Sequence, residues 1–202
     1  MNCVYWNIKG IGNPSSKLAF KRLCTLHKPS FFFIAEPWMH FHKFPKSLLN
    51  SVNMKFFAVN DRGTNDPNLW CFCSSDINPT VLHTSNQHVS FMIKISEQNM
   101  VFSAIYASTD YQKRRDLWAA LNAEQSNGDL PRCFIGDFNT ILGMHEYRGS
   151  NTPSRICYED FQDWTNSHNL IHLPTKGAHF TWANGRRGRS YTEKQLDSYL
   201  IS

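Results

Sequence analysis

The sequence predicts an α/β fold in which sheets pack face to face, helices lie outside them and the chemistry sits on loops at the strand ends. Three observations point there. Short apolar runs, such as Phe31 to Ala35 between Pro29 and Pro37, are too brief for buried helices and fit buried strands. Segments with apolar residues at helical spacing alternate with those runs. A middle block of strand-like segments, broken by Asp61-Arg62-Gly63 and Asp76-Ile77-Asn78-Pro79, has the look of antiparallel pairing.

In chain order, Cys3 to Trp6 reads as a buried strand and Gly10 to Pro14 as a turn. Ser15 then stands as N-cap of a helix with Leu18, Leu23 and Leu26 on its apolar face, stopped by Pro29. Ser30 to Ala35 is the second buried strand and Phe44 to Asn50 a short helix. Strands follow at Lys55 to Val59, Leu69 to Cys73, Thr80 to His83, Val89 to Ile95 and Val101 to Tyr106. Thr109 or Asp110 caps a helix through Ala123 that carries Leu117, Trp118 and Leu121 and ends at Asn127-Gly128-Asp129. Cys133 to Ile135 is a strand and Tyr158 to His168 a helix, while Ile171 to Leu173, His179 to Trp182 and Tyr191 to Ile201 are strands or strand edges. No repeat, low-complexity tract or linker divides the chain, so residues 1–202 are expected to form one domain.

With 202 residues, 41% hydrophobic and 18% charged, the chain has enough apolar mass for a real core, which excludes a mini-protein needing staples and argues against disorder. No apolar run approaches the roughly 18 residues of a membrane span. The start, Met1-Asn-Cys-Val-Tyr-Trp-Asn, lacks the basic stretch, apolar run and cleavage site of a signal peptide, so a nuclear or cytoplasmic, non-secreted protein is expected. The six cysteines sit largely in apolar stretches and read as reduced core thiols. A formal charge of +5 suits a polyanionic partner without demanding one, and on charge alone an ordinary, moderately basic protein is the better reading.

Gly136-Asp137-Phe138-Asn139, directly after an apolar strand, places a carboxylate and an amide two residues apart, on one face if the chain stays extended. Such a pair can orient water, move a proton or contact a phosphoryl oxygen, although Gly-Asp-x-Asn is also ordinary turn chemistry. Asn7, Glu36, Tyr106 and Asp197 lie in or at the ends of other predicted strands, and Glu36, Asp137 and Asp197 would supply the oxygen ligands that hard Mg²⁺ prefers. Each also has a plain structural reading: a turn amide, an exposed charge, a core tyrosine, a surface ion pair. A zinc site from Cys71-x-Cys73, His40-x-His42 or Cys157 with His168 and His172 lacks a second matching pair, and alternating strand cysteines explain Cys71 and Cys73 better. Arg186, Arg187 and Arg189, with Trp182 or Tyr191 nearby, fit either a nucleic-acid contact or a solvated hairpin loop, whereas Lys113-Arg114-Arg115 reads as helix surface.

In this order, Trp6-Asn7-Ile8-Lys9-Gly10, Ala35-Glu36, Ile105-Tyr106, Gly136-Asp137-Phe138-Asn139, Phe180-Thr181-Trp182 and Leu196-Asp197-Ser198-Tyr199 resemble the endonuclease/exonuclease/phosphatase superfamily. Gly12-Asn13-Pro14, Arg115-Asp116-Leu117-Trp118, Glu146-Tyr147-Arg148-Gly149 and Gly177-Ala178-His179-Phe180 are similar to the endonuclease domain of plant LINE-type (non-LTR) retrotransposon proteins in particular. The resemblance spans nearly all of the chain. It implies a four-layer, DNase I-like α/β sandwich and a Mg²⁺-dependent phosphodiester hydrolase acting on DNA, with Mn²⁺ as the alternative ion and with neither a membrane nor an obligate protein partner. By position it implies Glu36 as the metal-binding carboxylate and Asn7 as a metal-proximal or phosphate-orienting amide. It further implies Tyr106 as a phosphate contact, Asp137 as an acid/base, Asn139 as a stabiliser of phosphoryl charge and Asp197 as a carboxylate supporting the metal end. Arg186, Arg187 and Arg189, with Trp182, would contact DNA.

Some positions depart from the family pattern. Its last motif, Ser-Asp-His on a closing strand, is absent up to Ser202, and none of the nine histidines follows an Asp. Gln195 and Ser198 flank Leu196-Asp197 where the family carries Arg, Pro37 follows Glu36 where Thr is commoner, and Asn68-Leu69-Trp70 replaces two glycines and a leucine. A missing general acid/base costs about 10²–10⁴-fold. The expectation is therefore a sandwich without its last strand and a weak or inactive site. The competing class is a non-catalytic retroelement remnant, at most a nucleic-acid-binding module.

Overall fold

The computed structural model describes residues 1–125, 130–174 and 179–202, and their contacts gather into two units, Met1–Tyr106 and Ala107–Ser202. The first unit runs β1 (Cys3–Asn7), α1 (Pro14–His27), β2 (Phe31–Ala35), α2 (Lys46–Ser51), β3 (Met54–Val59), β4 (Leu69–Ser74), β5 (Thr80–Thr84), β6 (His88–Ile95) and β7 (Gln98–Tyr106). All five residues of β2 are 0% exposed. The strand lies between β1, which pairs with it in parallel, and β4, which pairs antiparallel and carries β3 on its far side.

Strand alternation then sends β2 into two layers. Phe32 and Ile34 enter a cluster with Ile11, Phe20, Phe44, Leu49 and Phe72, under α1 and α2. Phe31 and Phe33 meet Phe91 of β6, and Phe31 also meets Phe102 of β7, with ring centroids between 5.0 and 6.1 Å apart. The antiparallel meander β5-β6-β7 thus packs face to face on the four-stranded sheet, with helices on the opposite face. Each buried Phe contributes about 1.5–3 kcal/mol by area removed from water.

The helices differ in detail from the sequence expectation. Asn13, not Ser15, caps α1: its Oδ1 accepts the Ser16 N–H at 2.7 Å, and Pro14 takes the first turn. The buried face of α1 carries Phe20 and Cys24, with Leu23 partly buried against the same cluster, whereas Leu18 and Leu26 are 49% and 76% exposed. Phe20 fixes this phase, because its ring inserts among Phe32, Phe44 and Phe72. Phe44 is extended before Pro45, so α2 begins at Lys46, after a short 3₁₀ turn at Phe41–Lys43.

The second unit comprises α3 (Tyr111–Gln125), β8 (Arg132–Asp137), β9 (Tyr147–Gly149), α4 (Ile156–Ser167), β10 (Ile171–His172), β11 (Trp182–Ala183), β12 (Thr192–Lys194) and β13 (Asp197–Ile201). β13 runs antiparallel to β8 and to β10, its neighbour on the other side. Trp118 of α3 stacks with Trp164 and Phe161 of α4 and with Phe138, just past β8. The strand expected over Tyr191 to Ile201 is two strands: β12 joins β9 and β11 in a small sheet, whereas β13 joins β8. The break falls at Gln195-Leu196, whose N–H groups donate to Glu146 O and Thr181 Oγ1, each at 3.0 Å. The strand expected from His179 contracts to Trp182–Ala183, and the helix stop Asn127-Gly128-Asp129 lies outside the described residues.

Arg114 is not helix surface. It is 4% exposed, and its guanidinium donates to the carbonyls of Ser108, Thr109 and Cys157, with burial pulling its pKa down. All six cysteines are free thiols; burial pushes Cys3 and Cys73 up to about 11 and Cys24 up to about 12, while Cys157 is exposed. Among the described residues no helix is long and apolar enough to cross a membrane.

Two substitutions separate the predicted and observed faces of α1. Phe20→Ala should cost about 3–5 kcal/mol, and Leu26→Lys should stay within about 0.5 kcal/mol of the parent protein. Urea unfolding midpoints measure both, and comparable losses would mean that Leu26 is packed as tightly as Phe20.

Candidate functional site

In the first unit, the parallel ladder of β1 and β2 continues past the strands into their loops. Ile8 N–H donates to Ala35 O at 3.0 Å, Gly10 N–H to Glu36 O at 2.8 Å and Ile11 N–H to Pro37 O at 2.9 Å. The loops that follow Asn7 and Ala35 are therefore zipped together. Glu36 leaves β2 in the left-handed region at φ 52°, with its own N–H donating to Asn68 O at 2.9 Å. For a residue with a Cβ this conformation costs on the order of 1–3 kcal/mol, and it persists where the surroundings over-determine it.

Two donors converge on one carboxylate oxygen. Glu36 Oε1 accepts from Asn7 Nδ2 and from the Tyr106 hydroxyl, both at 2.8 Å, across 29 and 70 positions of sequence. Tyr106 closes β7 and donates its N–H to Gln87 O at 2.8 Å. Among the described residues Oε2 of Glu36 accepts no hydrogen bond. A carboxylate steered through one oxygen and open at the other is a hard donor of the kind that a small divalent cation takes.

Sequence reasoning missed Asn60, which supports this arrangement from below. It is 1% exposed, its Oδ1 accepts the N–H groups of Asn68 and Leu69 at 3.0 and 2.9 Å, and its Nδ2 donates to Asn68 Oδ1 and Asn86 O. Asn68 is the residue whose carbonyl holds the Glu36 N–H. A polar residue directly after an apolar strand was the available signal.

In the second unit, Asp137 ends β8, 6% exposed, in register with Asp197 of β13. Directly opposed residues of an antiparallel pair share a face. The extended Asp137/Asn139 pair of the sequence reading does not form. Asn139 turns left-handed at φ 48°, and Asp137 Oδ1 accepts its N–H at 2.9 Å, which is an Asx turn. Asn139 Nδ2 donates to Ala107 O at 2.8 Å, Ala107 N–H donates to Asp137 O at 2.9 Å, and the fully buried Phe138 anchors the turn.

Burial pushes the Asp197 carboxyl above the usual carboxylate range, against a hydrogen bond from the Thr181 hydroxyl that works the other way. Glu146, in the Met144–Glu146 3₁₀ turn, is 4% exposed and accepts the Leu142 N–H at 2.5 Å; burial raises its pKa as well. Its motif assigned it no role, because nothing local in sequence marks a loop carboxylate as buried.

Arg186, Arg187 and Arg189 are exposed on the loop between β11 and β12. Asn184 orders that loop, its Nδ2 donating to Ser190 O at 2.7 Å while Oδ1 accepts from Arg186 and Thr192 N–H at 3.1 and 3.2 Å. Trp182 lies at the base of the hairpin, partly covered, with Lys194 Nζ 5.5 Å from its ring centroid.

The family described as "Endonuclease/Exonuclease/phosphatase family" matches residues 4–193. Among curated protein sequences no match is found. Similar solved structures include the endonuclease domain of TRAS1, a telomere-specific non-LTR retrotransposon, with TM-score 0.72 and 15% identity over 98% of this chain and 84% of that one. They also include a variant of the 3′ phosphatase NExo from Neisseria bound to product DNA hairpin, with TM-score 0.68 and 14% identity over 98% and 86%. An AP endonuclease from Archaeoglobus fulgidus has TM-score 0.72 and 12% identity over 100% and 86%. At these identities the likeness is one of fold, the DNase I-like α/β sandwich.

The raised pKa of Asp197 sets a direction for stability against pH. The folded state binds this proton more tightly than the unfolded chain, so the contribution is full below the ordinary value of 3.8 and is lost as pH rises through the raised folded value. Asp197→Asn should leave the urea midpoint nearly unchanged at acid pH and flatten its decline above pH 3.8. Parallel curves for the two proteins would contradict a raised Asp197 carboxyl.

Proposed function

The chain belongs to the endonuclease/exonuclease/phosphatase family, and from that premise we propose that it is a divalent-metal-dependent phosphodiester hydrolase that nicks DNA by water attack at phosphorus. The observation that carries this reading is Glu36 with its left-handed backbone, its Oε1 held by Asn7 and Tyr106 and its Oε2 left over. Two hydrogen bonds and a strained backbone are more than a surface charge needs, and they suit a carboxylate that must be aimed at a metal ion.

In the first unit the Glu36 carboxylate is the oxygen donor assigned to the ion, which suits Mg²⁺ with Mn²⁺ as the alternative, and in the second unit the motif of Asp197 assigns that carboxylate a metal-supporting role. When bound, such an ion neutralises charge on a phosphate oxygen and lowers the pKa of water. Asn7 and the Tyr106 hydroxyl keep the Glu36 carboxylate oriented before substrate arrives, so little reorganisation is needed during the reaction. Tyr106 is also assigned a phosphate contact. Asp137 is assigned the proton transfer, at a carboxylate positioned by its own Asx turn. Asn139 Nδ2 is engaged at Ala107 O, and contact with a phosphoryl oxygen requires it to leave that carbonyl.

DNA as substrate is supported by the fold relatives, which include a retrotransposon endonuclease domain and an enzyme bound to a DNA product. It is supported also by three exposed arginines on an ordered loop, where guanidinium groups suit phosphate. The motifs fit a retroelement origin of the plant LINE type, and a nuclear or cytoplasmic setting agrees with that. The exposed arginines of the loop between β11 and β12 would contact phosphates with or without turnover. This also keeps a second reading, a non-catalytic module that binds nucleic acid.

A supercoiled-plasmid nicking assay in Mg²⁺ decides between them. The parent chain should nick measurably faster than Glu36→Ala and Asp137→Ala, because each variant removes a carboxylate assigned to the reaction. Nicking no faster than by the two variants would sink the hydrolase reading and leave the binding module.

A further inference from the structure

We infer a nucleotide subsite in the first unit, beside Glu36, in which the Trp38 ring stacks on a DNA base while Lys43 and Arg62 contact the adjoining phosphates. The inference rests on the nucleic-acid half of the proposed function and adds where the strand runs. A groove of about 390 Å³ is lined by Trp38, Met39, His40, Lys43, Arg62 and Asp66 among others, a volume within the usual range for a small-molecule moiety. Pro37 and Asn68, the residues that flank and hold Glu36, line the same groove.

Trp38 is 69% exposed, although large aromatic side chains are mostly covered. Its exposure is built in rather than loose. The backbone is left-handed at φ 49°, the preceding Pro37 is buried, and Pro37 O is tied to Ile11 N–H. Gly10, at φ 106°, makes room for the ring, since a Cβ there would stand 3.3 Å from Trp38 Cε3. A ring presented this way loses little freedom on binding, which is the condition for tight stacking.

The charges around the ring favour a nucleic-acid strand over an apolar partner. Lys43 is exposed, and Arg62 is steered by Nη1 donating to Asp66 O at 2.9 Å. The one carboxylate among the named lining residues, Asp66, is engaged by His40 Nδ1 at 2.6 Å. A π face bordered by two cations suits a base with its phosphates.

Binding of a fluorescently labelled oligonucleotide to the full chain, read by anisotropy in EDTA so that no hydrolysis intrudes, tests the subsite. Trp38→Ala should weaken binding by about 5- to 150-fold, Trp38→Phe should retain most of the affinity, and Lys43→Gln should lower the salt slope by about 0.7–0.9. An oligonucleotide carrying 5-iodouracil should photo-crosslink to the peptide containing Trp38. Since the side chain is exposed, unfolding midpoints of both Trp38 variants should match the parent. Unchanged binding by Trp38→Ala, or crosslinks only to other peptides, overturns the subsite even if plasmid is nicked. Trp38-dependent binding without nicking upholds the subsite and overturns the hydrolase reading instead.

Discussion

Burial of β2 on both faces is the constraint from which the first unit follows. A strand with no polar side chain must be covered above and below, and both of its edges must find backbone partners. The cover comes from α1 and α2 on one side and the β5-β6-β7 meander on the other, and the edges are taken by β1 and β4. What emerges at the end of such a strand has little freedom in position, and what emerges here is Glu36.

The left-handed residues follow from the same rigidity. Lys9, Glu36 and Trp38 all have positive φ in the two loops zipped together past β1 and β2, and Asn139 repeats the feature after β8. Each is a small strain that a loosely held loop would relax. The ladder beyond the strands, the Asn60 clasp on Asn68 and the buried Phe138 hold them instead. Stability gained in the core is spent where polar side chains must be aimed.

Legibility in sequence tracked how local the cause was. β2 could be read because burial on both faces leaves an unbroken apolar signature between two prolines. The phase of α1 could not, because the leucine set and the Phe20/Cys24 pair both have roughly helical spacing, and only the aromatic cluster that receives Phe20 chooses between them. The residues 191–201 read as one strand because the partition into β12 and β13 is made by Thr181 and Glu146, far off in the chain. Arg114 looked like surface because its carbonyl partners are invisible to composition. Asn7, Glu36 and Tyr106 could be linked only through the order of their motifs, and that resemblance offered no reason to notice Trp38 or Asn60.

The composition of β2 also has a bearing on how the chain behaves before it is folded. Phe31 to Ala35 is an uncharged, aromatic-rich stretch of the type that seeds intermolecular β-stacking when exposed. It is fenced by Lys28 and Pro29 on one side and by Glu36 and Pro37 on the other, the charges and prolines that discourage growth of such stacks. Glu36 thus stands at a flanking position where a charge interrupts such stacking, besides carrying the carboxylate held by Asn7 and Tyr106.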